Sequence, residues 1–161
     1  MAIPNYYYRS VRQVTPAWLA ERGLSAVIVD LDNTILPRYT DEIPADICAW
    51  AAALIEARVP VALLSNNHRK RVAAYAKRLG FTPLSGAVKP LPFAYLRALR
   101  RLATPRRKVV MIGDQLFTDI CGAAFLGITN VMVLPLSQRD LAHTLLLRKL
   151  EAVCMRHRCA E

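Results

Sequence analysis

The chain reads as a doubly wound α/β domain on a five-stranded parallel sheet, and three observations carry that reading. Five short apolar runs, at 27–29, 61–64, 81–84, 109–112 and 131–134, alternate with longer segments of helical period. Parallel strands need long crossovers, usually helices, so this alternation implies parallel pairing with both faces covered. At 161 residues the chain fits one domain, 1–161, that buries roughly two thirds of its unfolded surface.

The elements follow in order. Within an N-terminal extension, 1–24, Thr15 caps a short helix, Pro16 sits in its first turn and Gly23 stops it. The preceding Tyr6, Tyr7, Tyr8 and Arg9 have no clear period. The run VIVDLDNTIL, 27–36, is rich in β-branched residues and closes on two carboxylates, Asp30 and Asp32. A polar loop then reaches Pro44, which opens an alanine-rich helix to about residue 58. Strand 61–64 ends at Ser65, and helix 68–79, stopped by Gly80, sets Val72, Ala73, Ala76 and Leu79 against a basic face with Arg69, Lys70 and Arg71. A short strand at 81–84, a basic helix at 92–103, a strand at 109–112, a helix at 117–126 and a strand at 131–134 follow. A basic amphipathic helix is expected over about 138–157, its leucines serving the core or a homo-oligomer contact.

Composition narrows the class. With 54% hydrophobic and 21% charged residues the chain is a packed protein rather than a disordered one. Its four cysteines include no CxxC, which reads as reduced thiols in a cytoplasmic chain. Cys154, His157 and Cys159 are metal-ligating types, but no second ligand pair accompanies them. No apolar run approaches the roughly 18 residues of a membrane span, so no transmembrane segment is expected. The net charge of +10 favours anionic partners: nucleic acid, anionic lipid or a phosphorylated substrate.

In doubly wound sheets ligands gather past the carboxyl ends of the strands. Asp30, Ser65 and Asp114 lie at or just beyond such ends, and Lys89 lies in a loop on the same side. Phosphate esters resist hydrolysis, so catalysis needs an in-line nucleophile and charge neutralisation. Asp30 suits the nucleophile that forms an aspartyl phosphate. Asp32 suits the acid for the leaving oxygen and then the base for water, which asks for a carboxyl pKa raised by neighbouring charge. Ser65 and the adjoining Asn66 backbone suit the phosphoryl oxygens, and Lys89 the transition-state charge. Magnesium, which prefers oxygen ligands, suits Asp30, the Asp32 carbonyl and Asp114.

The segments DLDNT, LLSNN, VKP and GDQLFTD, in this order, resemble the four motifs of the haloacid dehalogenase-like superfamily. The resemblance implies a magnesium-dependent hydrolase, and the acid at Asp32 matches its phosphatases. Asp119 matches the second acid of the fourth motif, used in the family near the metal or to orient the lysine. More narrowly, DLDNTI, SNNHRKRV, AVKPLPFAYLRAL, IGDQLFTDI and LLRKLE, across about 9–151, look like the YqeG group, which includes phosphatidylglycerophosphate phosphatases. Gly122, Ala123 and Ala124 depart from that pattern, where an asparagine or second glycine is expected.

The segment 31–43 is too short for a large cap domain. An open, basic site suits an anionic phospholipid at the inner face of the membrane, met peripherally. The same chemistry on a soluble nucleotide, sugar phosphate or nucleic-acid end is the enzymatic alternative. A non-catalytic nucleic-acid module lacks support: no zinc-finger spacing, RNA-binding aromatic motif or recognition-helix signature is present.

Overall fold

The computed structural model describes residues 3–137 and 160. Strands β1 (Tyr6–Tyr8), β2 (Ala26–Val29), β3 (Val61–Leu64), β4 (Thr82–Leu84), β5 (Val109–Gly113) and β6 (Thr129–Val133) form one sheet. Its order is β1-β6-β5-β2-β3-β4, with every pairing parallel. Helices α1 (Pro16–Glu21), α2 (Ala45–Glu56), α3 (Arg69–Leu79), α4 (Pro92–Leu102) and α5 (Cys121–Phe125) make the connections. The helix expected over 138–157, with Cys154, His157 and Cys159, lies outside the described residues.

The sheet has six strands where the sequence predicts five. The addition is β1, which runs beside β6 with Tyr6 opposite Val131 and Tyr8 opposite Val133. Three consecutive tyrosines show no apolar alternation, so the strand is held by what it docks against. The Trp18 indole donates to the Tyr8 hydroxyl at 2.9 Å, and the Tyr6 ring meets Trp18 edge-on with centroids 5.0 Å apart. Asn5 and Asn130 exchange backbone-to-side-chain hydrogen bonds at 3.0 and 2.9 Å.

Alternation along the central strands divides the core into two layers. Val27, Val29, Val61, Leu63, Val110 and Ile112 face α2 and α3 through Trp50, Leu54, Val72 and Ala76. Ile28, Ala62, Leu64 and Met111 face α4 and α5 through Tyr95, Ala98 and Ala123. Burial on both faces is why β2, β3 and β5 read as continuous apolar runs. β4 tolerates Pro83 because it is an edge strand.

This topology places the site. The chain leaves β2 for β3 on one side and β5 for β6 on the other, so the adjacent ends of β2 and β5 form the switch point. Between β2 and α2 the chain makes only one bridge, Asp32 to Leu36. Asn33 turns there in the left-handed region at φ 63°. Its side-chain oxygen accepts from the Arg38 amide at 3.2 Å and the Ser137 hydroxyl at 2.7 Å. No large cap interrupts the described residues, and none of their helices is long and apolar enough to cross a membrane.

Leu63 is fully buried between β3's neighbours and the α2–α3 layer. Leu63→Ala should lower the unfolding free energy by about 2–5 kcal/mol in urea titrations, through lost transfer energy and the cavity left behind. A loss under about 1 kcal/mol would contradict close packing in that layer.

Candidate active site

Asp30 follows β2 directly, its amide donating to the Ile112 carbonyl of β5 at 3.0 Å. Its carboxylate lies at the switch point, 5% exposed. Lys89 reaches it from the loop between β4 and α4: Nζ stands 2.5 Å from Asp30 Oδ1 and 2.7 Å from Asp119 Oδ1. Asp119 spends its second oxygen on the Gln115 amide at 3.2 Å. The lysine is therefore clamped between two carboxylates from separate segments, one after β2 and one after β5. Burial opposes the Lys89 charge, yet the attraction of Asp119 and Asp30 outweighs it and pushes the ammonium pKa up.

Asp32 stands apart from this clamp. Its Oδ2 accepts from Asn67 Nδ2 at 3.3 Å and from Ser65 Oγ at 3.5 Å, and Arg71 lies 3.9 Å from Oδ1. Ser65 ends β3 and its Oγ also accepts from the Asn67 amide at 3.0 Å, a serine turn that curls the chain toward Asp32. Asn66 Oδ1 accepts from the Lys89 amide at 2.8 Å, so this side chain anchors the lysine loop while its residue lines the cavity. The cavity, about 400 Å³, has Asp30 and Lys89 among its lining, with Asp32, Ser65, Arg38 and Gln115 around them.

Asp114 follows β5, fully buried, and accepts from the Thr34 hydroxyl at 3.2 Å. Asp30, Asp114 and Asp119 can each present one oxygen such that all three lie within 4.8 Å of one another. Burial and the carboxylates Asp119 and Asp114 push the Asp30 pKa well up, against the pull of Lys89. Three buried carboxylates this close repel one another, and a hard divalent cation with oxygen ligands would offset that repulsion. The donor set fits such an ion. Asp30 and Asp114 are placed to hold it, while both Asp119 oxygens are engaged in orienting Lys89 and Gln115. The Asp32 side chain turns toward Ser65 and Asn67, leaving its main-chain carbonyl as its means of joining the set.

Over 138 residues, 86% of this chain and 80% of the relative, the sequence is 30% identical to the "Probable phosphatase YqeG" of Bacillus subtilis (strain 168). The chain belongs to the haloacid dehalogenase-like phosphatases. The HAD-hydrolase-like family model matches residues 87–142 of this phosphatase, from just before Lys89 past Asp119. Solved structures share its fold. An uncharacterized protein from Listeria monocytogenes serotype 4b matches with TM-score 0.56 at 19% identity, over 78% of this chain and 99% of that one. The cobalt-bound deoxy-D-mannose-octulosonate 8-phosphate phosphatase of Haemophilus influenzae matches with TM-score 0.56 at 14% identity, over 84% and 89%.

Several residues that hold the phosphatase site together escape a reading of motifs. Gly113, the last residue of β5, leaves room for Asp119: a Cβ there would overlap its carboxylate. The glycine immediately before Asp114 was the available signal, since glycine in a strand often marks close approach. Tyr95 of α4 donates to the Thr118 carbonyl and packs where a Cβ on Gly122 would collide. It thereby braces the π-helical turn Leu116–Ile120 that carries Asp119. Thr34, Asn67 and Arg71 lie inside the segments DLDNT, LLSNN and SNNHRKRV, but the motifs do not tell which acid each one meets: Thr34 meets Asp114, and Asn67 and Arg71 meet Asp32.

Gly113→Ala should displace Asp119 and, through it, Lys89. Because misplacement by about 1 Å can cost on the order of 10²-fold, phosphatase kcat should fall by about that factor while circular dichroism still reports a folded sheet. Wild-type kcat in this variant would show that the clamp does not set the lysine.

Proposed function

We propose that this phosphatase hydrolyses the phosphomonoester of phosphatidylglycerophosphate, giving phosphatidylglycerol and inorganic phosphate, with Asp30 as nucleophile and magnesium as cation. The observation that carries the chemistry is the buried Lys89 held 2.5 Å from the Asp30 carboxylate at a cavity that Asp32 also lines. An Asp30 oxygen forms a bond to phosphorus as the bond from phosphorus to the glycerol oxygen breaks. Asp32, whose carboxyl is in contact with solvent on the cavity side, gives its proton to that leaving oxygen. It then takes a proton from the water whose oxygen attacks phosphorus, releasing phosphate and restoring Asp30.

Lys89 balances charge on the transferring group throughout, and Ser65 with the Asn66 backbone orients its oxygens. Bound magnesium would polarise the phosphoryl group and offset the repulsion between nucleophile and phosphate. Asp119 contributes by fixing the lysine.

Three features support the lipid ester over a small free metabolite. Neither the loop 30–44 nor the loop 85–91 builds a helix or strand over the cavity, so a substrate carried by a larger assembly can reach Asp30. The chain carries a net charge of +10, which concentrates it at anionic surfaces. The curated relative aligns over most of both chains, and the motif forms resemble the group that includes such lipid phosphatases.

The test is phosphate release from phosphatidylglycerophosphate in mixed micelles with magnesium, beside soluble phosphomonoesters, with Asp30→Asn and a chelator-treated sample as blanks. The lipid should be strongly preferred, and both blanks should lose essentially all turnover. Efficient turnover of a soluble ester alone would overturn the lipid assignment, and full activity of Asp30→Asn would overturn the mechanism.

A further inference from the structure

Next in the chain to Lys89 and His68, which line the cavity, stand exposed residues that catalysis does not use. Val88 and Leu91 flank Lys89 and are joined in a turn by the Leu91 amide donating to the Val88 carbonyl at 3.0 Å. They are 61% and 48% exposed, and α4 continues the apolar surface with Phe93 at 75% and Leu96 at 39%. Positions 93 and 96 share the outer face of α4, three residues apart, while Ala94, Tyr95 and Ala98 bury the other face. Phe93 is four residues from Lys89, within roughly 14 Å even for a fully extended chain. Scattered exposed apolar residues are ordinary, but four in one short stretch beside a charged site form a patch.

The neighbouring rim is cationic. α3 begins just past Ser65 and Asn67, at the same carboxyl edge, and carries Arg69 and Lys70 exposed in its first turn with no acid there. That is the positive end of the helix dipole, where basic side chains lower helix stability. The charges oppose the helix's own preference and so fit an outside anion.

We propose that this edge, with Val88, Leu91, Phe93 and Leu96 as the apolar part and Arg69 and Lys70 as the cationic part, docks onto an anionic phospholipid bilayer. The proposal rests on the lipid-phosphate reading of the site and names the surface that would bring a headgroup to Asp30. Apolar side chains enter the acyl boundary while the bases meet lipid phosphates, the combination that interfacial binding requires. A second copy of the chain is disfavoured as occupant because it would bring two basic edges together. Nucleic acid would use the bases and leave the aliphatic Val88, Leu91 and Leu96 without a role.

The test is flotation of the full chain with phosphatidylglycerol/phosphatidylcholine vesicles and with phosphatidylcholine vesicles alone. Phe93→Asp/Leu96→Asp and Arg69→Glu/Lys70→Glu are compared with wild type, and each protein is also assayed on p-nitrophenyl phosphate. Wild type should float with the anionic vesicles only. Each double variant should lose about tenfold or more in partition, as expected when apolar area or charge is withdrawn from an interface, while keeping p-nitrophenyl phosphate turnover. Wild type that stays with the aqueous phase, or variants that float as well as wild type, would overturn the docking surface. So would a self-association abolished by Phe93→Asp/Leu96→Asp without vesicle binding. Wild type that floats but releases no phosphate from phosphatidylglycerophosphate would uphold the docking surface and overturn the substrate.

Discussion

One buried ammonium organises this molecule: Lys89, held at 2.5 Å from Asp30 and 2.7 Å from Asp119. The three residues come from the segments that follow β2, β4 and β5, so the contact fastens the middle of the sheet's carboxyl edge. A buried charge left without its partner costs about 3–5 kcal/mol, which is why so much surrounding structure serves to keep this one paired. Gly113 makes room for Asp119, Tyr95 braces the π-helical turn beneath it, and Asn66 ties the lysine loop back to β3. The same contact that stabilises the edge sets the positive charge beside Asp30, the nucleophile of the proposed mechanism.

The clamp also explains the character of the acids around it. Asp30, Asp114 and Asp119 bring oxygens within 4.8 Å of one another while Lys89 pairs with two of them, and hard oxygen donors so close suit a divalent cation. Asp32 escapes that crowd by hydrogen bonds to Ser65 and Asn67 and by its proximity to Arg71. Two aspartates one residue apart thus occupy different environments, one fixed in the floor and one facing the cavity. One segment thus offers the cavity both a buried and a partly exposed carboxylate.

Much of this was legible in the sequence. Strands β2, β3 and β5 are buried on both faces and so betray themselves as unbroken apolar runs, and Asp30, Ser65 and Asp114 stand out because they close those runs, with Lys89 in a loop on the same side. β1 was illegible because Tyr6–Tyr8 owes its place to Trp18, Asn130 and β6, none of which is local in sequence. The π-helical turn at Leu116–Ile120 reads in the sequence as ordinary helix, since its wider winding shows only in backbone bonds such as the Ile120 amide reaching back to the Gln115 carbonyl at 3.3 Å. Gly113 and Tyr95 likewise draw their importance from contacts between elements, which periodicity does not encode. The direction of the Asp32 side chain belongs to the same class.

The central claim is that Asp30, fixed by Lys89, carries the phosphoryl group. The most direct measurement is rapid quenching of the magnesium-loaded enzyme during turnover, borohydride reduction, and peptide mass spectrometry. An aspartyl phosphate at Asp30 would be reduced to homoserine at that position, and the account predicts this product only while substrate is being consumed. Homoserine at another aspartate, or none at position 30 while phosphate release proceeds, would contradict it.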